Sequence, residues 1–397
     1  MKNKKNPRAR ALIKWGLRLI LAALICLLVA IAILLPMAWS ALGKKAEGER
    51  KARILNSERF SDGRFQNIDP LWNNYWGMFA RPASKTTPGA AVDVEQDPTI
   101  FNEPRDAKLR VTWLGHSSAL IQLDGVTILT DPVFGERTSP LSFIGPKRFY
   151  APVIPLEKLP ALDAVVISHD HYDHLDESTI KKLAKSKLRF IVPLGVGAHL
   201  EYWGVPKEKI TELEWWQETK VKGLKTVCTP ARHASGRHLF DQNKTLWAGW
   251  AFLGDEQSVF FSGDTGMFMG MAEIGERLGP FDIAMIEVGA YNQAWPDWHI
   301  GPEQAVGASK MLKAKTLIPI HWALFNLAMH NWTEPMERVQ IEAKKQGVRI
   351  LSPKPGAFVD GSETHFEKWW PDIDFKRASE DPIVSTRTPA RPRAPGD

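Results

Sequence analysis

A chain of 397 residues, 44% of them hydrophobic, can bury a sizeable core in one large domain or two smaller ones. Its formal charge of +6 does not signal nucleic-acid binding. Seven of the 51 basic residues (Lys2, Lys4, Lys5, Arg8, Arg10, Lys14 and Arg18) lie within the first 18 residues, and the other 44 face 45 acidic ones. That near-neutral remainder lacks the positive field a phosphate backbone requires, which speaks against a nuclease. The only cysteines, Cys26 and Cys228, lie in unrelated apolar runs, so neither a disulfide framework nor a zinc–thiolate site is expected.

In chain order, residues 1–18 are the basic segment, and residues 19–42 carry no charge over a length sufficient to span a bilayer. Basic residues before this run and a mixed patch after it (Lys44, Lys45, Glu47, Glu49) place the N-terminus in the cytoplasm. In a bacterium this describes a single-pass inner-membrane protein with the rest of the chain in the periplasm. Ala38-Trp39-Ser40 also reads as a signal-peptidase site, which would yield a secreted protein; the length of the run favours an uncleaved anchor. Residues 43–107 are polar and broken by prolines, with Trp72 and Trp76 in the middle. They read as a linker and an extension packed on the main domain.

From residue 108 to 357, short apolar, β-branched runs alternate with turns and helical stretches. Runs 111–114, 119–123 and 126–129 form a meander with Asp124-Gly125 as a hairpin turn. Runs 164–168, 190–192, 226–229, 259–262, 283–287 and 316–320 continue the strands. Helices are expected over 177–186, 271–278, 302–312 and 335–346. Meanders followed by strand–helix alternation indicate an α/β sandwich with its helices outside. Residues 358–397 read as a C-terminal extension whose Pro-, Arg-, Ser- and Thr-rich part, from about residue 376, is expected to be disordered.

The run 164–168 leads directly into His169-Asp170-His171-Tyr172-Asp173-His174. Residues two apart in an extended segment face one side, so His169, His171 and Asp173 converge, and a turn into the helix near Asp176 lets His174 join them. Imidazole and carboxylate donors suit zinc, and also iron or manganese. A histidine-rich polar loop is the plainer alternative, but more donors recur where other strands end. His233 follows 226–229, Asp264 follows 259–262 within Gly263-Asp264-Thr265-Gly266, and His321 directly follows 316–320. Donors at strand ends are held rigidly along one edge, as a catalytic metal site needs.

These segments resemble the metallo-β-lactamase fold superfamily, whose His-x-His-x-Asp-His motif occurs once, at residues 169–174. Within it the chain is similar to the N-acylphosphatidylethanolamine-hydrolysing phospholipase D family. The likeness runs through Trp113-Leu114-Gly115-His116, Leu129-Thr130-Asp131-Pro132, Gly145-Pro146-Lys147-Arg148-Phe149, Glu214-Trp215-Trp216, Gly279-Pro280-Phe281-Asp282 and Ile320-His321-Trp322, in the same order. The resemblance implies a four-layer αββα sandwich behind the transmembrane helix, and two zinc ions. His169, His171 and His233 would hold one, Asp173, His174 and His321 the other, with Asp264 bridging. A metal-bridging hydroxide would then attack the phosphorus of a phospholipid at the membrane and release phosphatidic acid and an N-acylethanolamine. Asp264 and Asp173 are the carboxylates of this catalytic centre, and Tyr172 and His299 match positions that contact substrate in that family.

Other residues leave alternatives open. His116 and Asp131 are candidates to support the ligands from behind, although Asp131-Pro132 also reads as a strand end. His299 reads equally as a structural histidine, and Lys147 and Arg148 either meet lipid phosphates or form a solvated pair. Met267, Phe268, Met269 and Met271, with Trp215 and Trp216, read as an acyl-chain groove or as core. His199, His238, His330 and His365 have no case beyond composition. Asp170 departs from the phospholipase pattern, in which the mammalian enzyme has an amide residue. A lactonase or another phosphodiesterase of small substrate on the same fold is the rival reading. A metal-stabilised envelope binding protein is the non-catalytic one, and seven His and Asp donors for two metals, leaving room for water, favour hydrolysis over it. Oligomeric state has no signature in the sequence.

Overall fold

The computed structural model describes residues 7–74, 76–77, 82–101, 108–361, 363 and 365–385. α1 (Pro7–Ala38) contains the apolar run, and its stretch Lys14–Ala38 is largely exposed, with Ala38 at its end buried. The helix stops four residues before the expected limit of 42, because residues 39–42 turn back onto the domain and bury Ala41. Within the region read as linker and extension lie α2 (Gly48–Leu55) and a hairpin of β1 (Phe60–Ser61) and β2 (Arg64–Phe65). Arg50 fixes α2 to the domain, its guanidinium 2.7 Å from Glu212 and 2.8 Å from Glu201.

The first half of the domain comprises β3 (Leu109–Gly115), β4 (Ser118–Leu123), β5 (Val126–Thr130), β6 (Ala164–Val166), α3 (Glu177–Leu183), β7 (Arg189–Pro193), α4 (Gly197–Tyr202) and β8 (Ile210–Leu213). The second comprises β9 (Glu218–Val221), β10 (Leu224–Thr229), β11 (Gly249–Leu253), β12 (Ser258–Phe261), α5 (Gly270–Arg277), β13 (Ile283–Glu287), α6 (Pro302–Met311), β14 (Thr316–Ile320), α7 (Glu334–Gln346) and the short β15 (Phe358–Val359). One sheet runs β15-β3-β4-β5-β6-β7-β8 and the other β14-β13-β12-β11-β10-β9. Each is antiparallel through its meander and parallel where helices intervene, as crossover connections require.

Strand alternation sorts the layers. On β6, Ala164 and Val166 face the core shared with the other sheet, while Val165 joins Ile180, Leu183 and Leu200 of the covering helices. This is the mixed-sheet sandwich flanked by helices that the resemblance implied. α5, α6 and α7 contribute Met271, Ile274, Val306, Met336 and Val339 to the main core.

Ordered structure runs past the expected domain limit of 357. β15 pairs with β3, and Trp369 and Trp370 pack beside Trp113 and Trp322, with the Trp322–Trp369 ring centroids 5.0 Å apart. Of the tail expected to be disordered, residues 376–385 are described and include the buried Ile383; residues 386–397 lie outside the described ones. Trp369 fills core space, so Trp369→Ala is expected to destabilise the protein by about 3–5 kcal/mol. Denaturant unfolding of the detergent-solubilised chain measures this, and a loss within ~0.5 kcal/mol would show the segment to be peripheral.

Candidate metal centre

All the strand ends that carry candidate ligands meet at one edge of the sandwich. After β6 the chain runs through Ile167 and Ser168 into the motif loop, which a carboxylate from the neighbouring β5 end holds in place. Asp131 accepts hydrogen bonds from the Ser168 amide (2.6 Å), the Ser168 hydroxyl (2.5 Å) and His174 Nδ1 (2.7 Å). Its burial raises the carboxyl above its ordinary range, against the lowering pull of His174 and Ser168. After β10, His233 donates from Nδ1 to the Trp298 carbonyl (2.8 Å). After β12 the backbone turns at Gly263 with φ +55°, where a Cβ would lie 2.5 Å from that of Ser168, so the chain approaches the motif loop as only glycine allows. After β14 comes His321.

His116, Asp131 and His321 adopt left-handed backbone, with φ of 53°, 34° and 63°. Each such non-glycine residue costs roughly 1–3 kcal/mol and persists where the surroundings over-determine it. Here the His321 amide donates to the His116 carbonyl (3.0 Å), which ties two of the three together.

The donors form two sets around one carboxylate oxygen. His169 Nε2 and His233 Nε2 lie 2.9 and 3.2 Å from His171 Nδ1. Asp173 Oδ2 lies 3.3 Å from both His174 Nε2 and His321 Nε2. Asp264 Oδ2 sits between, 3.1 and 3.2 Å from His174 and His321 and 3.8 and 3.7 Å from His169 and His233. Donors around a tetrahedral ion with bonds of about 2.0–2.1 Å stand roughly 3.3 Å apart, so both sets have the right size. His174 Nε2 and Asp264 Oδ1 are buried without a hydrogen bond of acceptable geometry, a condition that is rare unless another partner is provided for. The residues therefore fit two divalent cations.

Electrostatics divide the sets. Burial depresses the pKa of His169, His171 and His233, which keeps these imidazoles neutral and ready to ligate. Burial opposes charge on His174 and His321 too, but the Asp264 and Asp173 carboxylates outweigh it, raising His174 well above its ordinary value and His321 to about 10. Those imidazoles in turn hold Asp173 and Asp264 well below the carboxylate range, although burial alone would raise them.

All seven expected ligands are thus brought together. His116 stands behind them with Nε2 2.9 Å from Asp173 Oδ2. His299 lines the open cleft of about 250 Å³ above the donors, beside Trp295, Trp298 and Leu327. Tyr172 is not among the residues lining that cleft: its hydroxyl donates to the Arg237 carbonyl (2.8 Å) and its ring lies 4.0 Å under the Arg237 guanidinium. Arg148 is buried and donates to the carbonyls of Tyr150 and Gly135, while Lys147 is exposed and pairs with Glu136 at 2.8 Å, so neither is arranged as an open phosphate clamp. Phe268, Met271 and Trp215 belong to the core, whereas Met269 is exposed.

Two residues here escaped the reading of the sequence. Glu287, at the end of β13, lies 2.8 Å from His299 Nδ1 and 3.7 Å from His321 Nδ1. The strand-end rule that singled out Asp264 applies to it equally. Asn67, from the extension, clasps the backbone of His233 on both sides, its Oδ1 accepting from the amide (3.0 Å) and its Nδ2 donating to the carbonyl (2.7 Å). No motif marks it.

With His321 raised to about 10 and His174 raised well above its ordinary value in the metal-free protein, ions can bind there only by displacing protons. Metal loading at pH 8 is expected to release on the order of two protons per chain. Calorimetry in two buffers of different ionisation enthalpy measures the number, and buffer-independent heats would refute the assignment.

Comparison with known proteins bears on the family and the fold. A β-lactamase superfamily domain model matches residues 126–322. An uncharacterised protein of Mycobacterium tuberculosis is 44% identical over 346 residues, 83% of this chain and 92% of the relative. The N-acyl-phosphatidylethanolamine-hydrolyzing phospholipase D 1 of Caenorhabditis elegans is 40% identical over 248 residues, 59% of this chain and 70% of the relative. The crystal structure of an isothiocyanate hydrolase from Delia radicum gut bacteria shares the fold, with a TM-score of 0.50 at 23% identity over 63% of this chain and 98% of that one. The chain is a metal-dependent hydrolase of the metallo-β-lactamase superfamily.

Proposed function

We propose that this hydrolase is a membrane-anchored, two-metal phosphodiesterase of the phospholipase D type. Its substrate is N-acyl-phosphatidylethanolamine or a related phospholipid, and its products are phosphatidic acid and an N-acylethanolamine. The observation that carries the proposal is the pair of three-donor sets sharing Asp264 at the floor of an open cleft. The similarity to the nematode phospholipase supports the lipid as substrate. Two bound cations, as zinc, iron or manganese, would activate water at neutral pH and polarise a phosphoryl oxygen.

The protein's own groups supply position and charge. Asp173 and Asp264 stay ionised at every working pH, since neighbouring imidazoles hold them down against burial. Glu287 accepts from His299 Nδ1, which fixes that ring at the cleft wall and leaves Nε2 as an acceptor for a substrate N–H, such as the N-acyl amide. Trp295, Trp298 and Leu327 provide an apolar wall suited to the acyl-glycerol part of a lipid. The water oxygen bonds to phosphorus, the bond from phosphorus to the ethanolamine oxygen breaks, and the proton from water ends on that leaving oxygen.

The anchor reading is supported by the exposed apolar surface of α1. Ala38 ends a helix and Ala41 is buried, so the stretch around Ser40 is not the extended, open segment a signal peptidase would cut. In this reading the basic residues before α1 keep the N-terminus in the cytoplasm, and the catalytic domain lies across the membrane.

The metal-loaded full-length protein, incubated with N-acyl-phosphatidylethanolamine and with a panel of lactones, is expected to release phosphatidic acid and N-acylethanolamine in equal amounts. Lactone turnover without phosphatidic acid would replace the proposal. His171→Ala is expected to lose turnover while the unfolding transition persists, and global unfolding would point to a structural metal. Asp131→Asn, which weakens the hold on His174 and Ser168, is expected to lower kcat/KM by about 10–100-fold.

A further inference from the structure

We infer that α1 does not tether the catalytic domain loosely but is docked on it, so that one face of the domain, tipped by Leu239 and Phe240, is seated in the lipid bilayer. The inference rests on the anchor in the proposed function and is independent of the substrate.

The helix has no slack at its exit. Immediately after Ala38, the Ser40 carbonyl accepts from Trp203 Nε1 (2.8 Å), and the Ala41 carbonyl accepts from Arg237 Nε (2.7 Å). The Lys44 amide then donates to His199 Nδ1 (3.0 Å). Arg237 is buried and also donates to the carbonyls of Asp170 and Leu175, at 2.7 and 2.9 Å. A helix held this way presents one fixed face of the domain to the membrane it crosses.

That face is apolar. An open cleft of about 940 Å³ begins at Leu35 and Trp39 of the helix end and reaches the loop carrying Leu239 and Phe240. Leu35 lies inside the span, so the mouth of the cleft is continuous with the hydrocarbon region. Leu239 and Phe240 are 83% and 82% exposed and adjacent in sequence, an apolar wedge in which the Phe240 ring meets the His238 ring of the same loop. Leu55, also exposed, lines the same cleft. Its polar lining has both signs: Lys44 pairs with Glu47 at 3.5 Å, Asp170 and Asp241 also line it, and Lys45 and Lys51 suit anionic headgroups. Trp39, 61% exposed, sits where aromatic side chains favour the membrane interface. Apolar tip, aromatic residue and lysines occur together on the side from which the anchor emerges. The occupant of this face is therefore the bilayer lipid, whose acyl chains fill the cleft.

An environment-sensitive fluorophore on single cysteines tests this in full-length protein, reconstituted into phosphatidylethanolamine–phosphatidylglycerol vesicles. Native Cys26 is exposed on α1 and reports the anchor; Cys228 is buried. In a Cys26→Ser background, Leu239→Cys and Leu55→Cys report the proposed face, and Ile341→Cys on α7 reports another exposed site. Labels at 26, 239 and 55 are expected to be quenched at least several-fold more by lipids carrying an acyl-chain nitroxide than by aqueous iodide, with the reverse at 341. Lipid quenching at 26 with iodide quenching at 239 would overturn the docking and leave the anchor standing. Protection of 239 from both quenchers would show a protein partner or a second copy there, and would overturn it as well. Absence of lipid quenching at 26 would remove the anchor and the docking together.

Discussion

A carboxylate 3% exposed among imidazoles is the constraint around which this sandwich is arranged. Asp264 Oδ2 lies within 3.8 Å of a ring nitrogen of His169, His174, His233 and His321. A buried charge is costly unless it is paired. The pairing here cannot come from one segment, because the imidazoles arrive on three separate strand ends. Both sheets must therefore bring β6, β10, β12 and β14 to one edge in fixed register before Asp264 can be accommodated. Packing of the shared core sets that register, and the site inherits its rigidity from it.

Holding the ligands still requires a further layer of groups and some backbone distortion. Asp131 and Glu287 are carboxylates pointing at histidines, and the Trp298 carbonyl does the same for His233. Each fixes which ring nitrogen carries the proton and so which one is presented to the centre. Among the described residues, three of the eleven left-handed non-glycine positions, His116, Asp131 and His321, fall on a donor or directly behind one. At these three positions backbone strain accompanies the aiming of donors, as expected of a site whose geometry is selected for chemistry at some expense in stability.

Ligands at strand ends were readable from the sequence because they obey two simple rules: a period of two in an extended segment, and polar residues ending buried runs. Those rules place His169, His171, Asp173, His233, Asp264 and His321 without reference to any partner. They would have found Glu287 too, which closes the run 283–287. Strands β13 and β14 were readable to the residue, since both are buried apolar runs. β9 was not, because Glu218 and Lys220 on a sheet edge leave no apolar pattern, and β11, a Gly-Trp-Ala-Phe-Leu run, has no period that separates strand from helix. Asn67 lay beyond sequence reasoning for a different reason. Its role is a pair of hydrogen bonds to the backbone of His233, 166 positions away, and such contacts depend on tertiary approach alone. The ordering of residues past 357 is of the same kind, since Trp369 becomes core only because Trp113 and Trp322 leave a place for it.

Tyr172 shows how the motif loop serves two masters. Alternation along the loop sends His171 and Asp173 to the donors and sends Asp170 and Tyr172 the other way, and the structure shows what waits there. Asp170 accepts from the Gly236 amide (2.7 Å) and from Thr245 Oγ1 (2.7 Å), and Tyr172 is covered by Arg237. Arg237 also reaches Ala41, at the exit of α1. The loop that holds the metal donors on one face therefore holds the exit of α1 on the other, through Arg237 and through His199 between Asp170 and Lys44. Asp170, which departs from the family pattern, belongs to this second face and not to the donors. Its carboxylate satisfies backbone and hydroxyl groups of the segment that carries Leu239 and Phe240, so the departure bears on how that segment packs behind the motif loop.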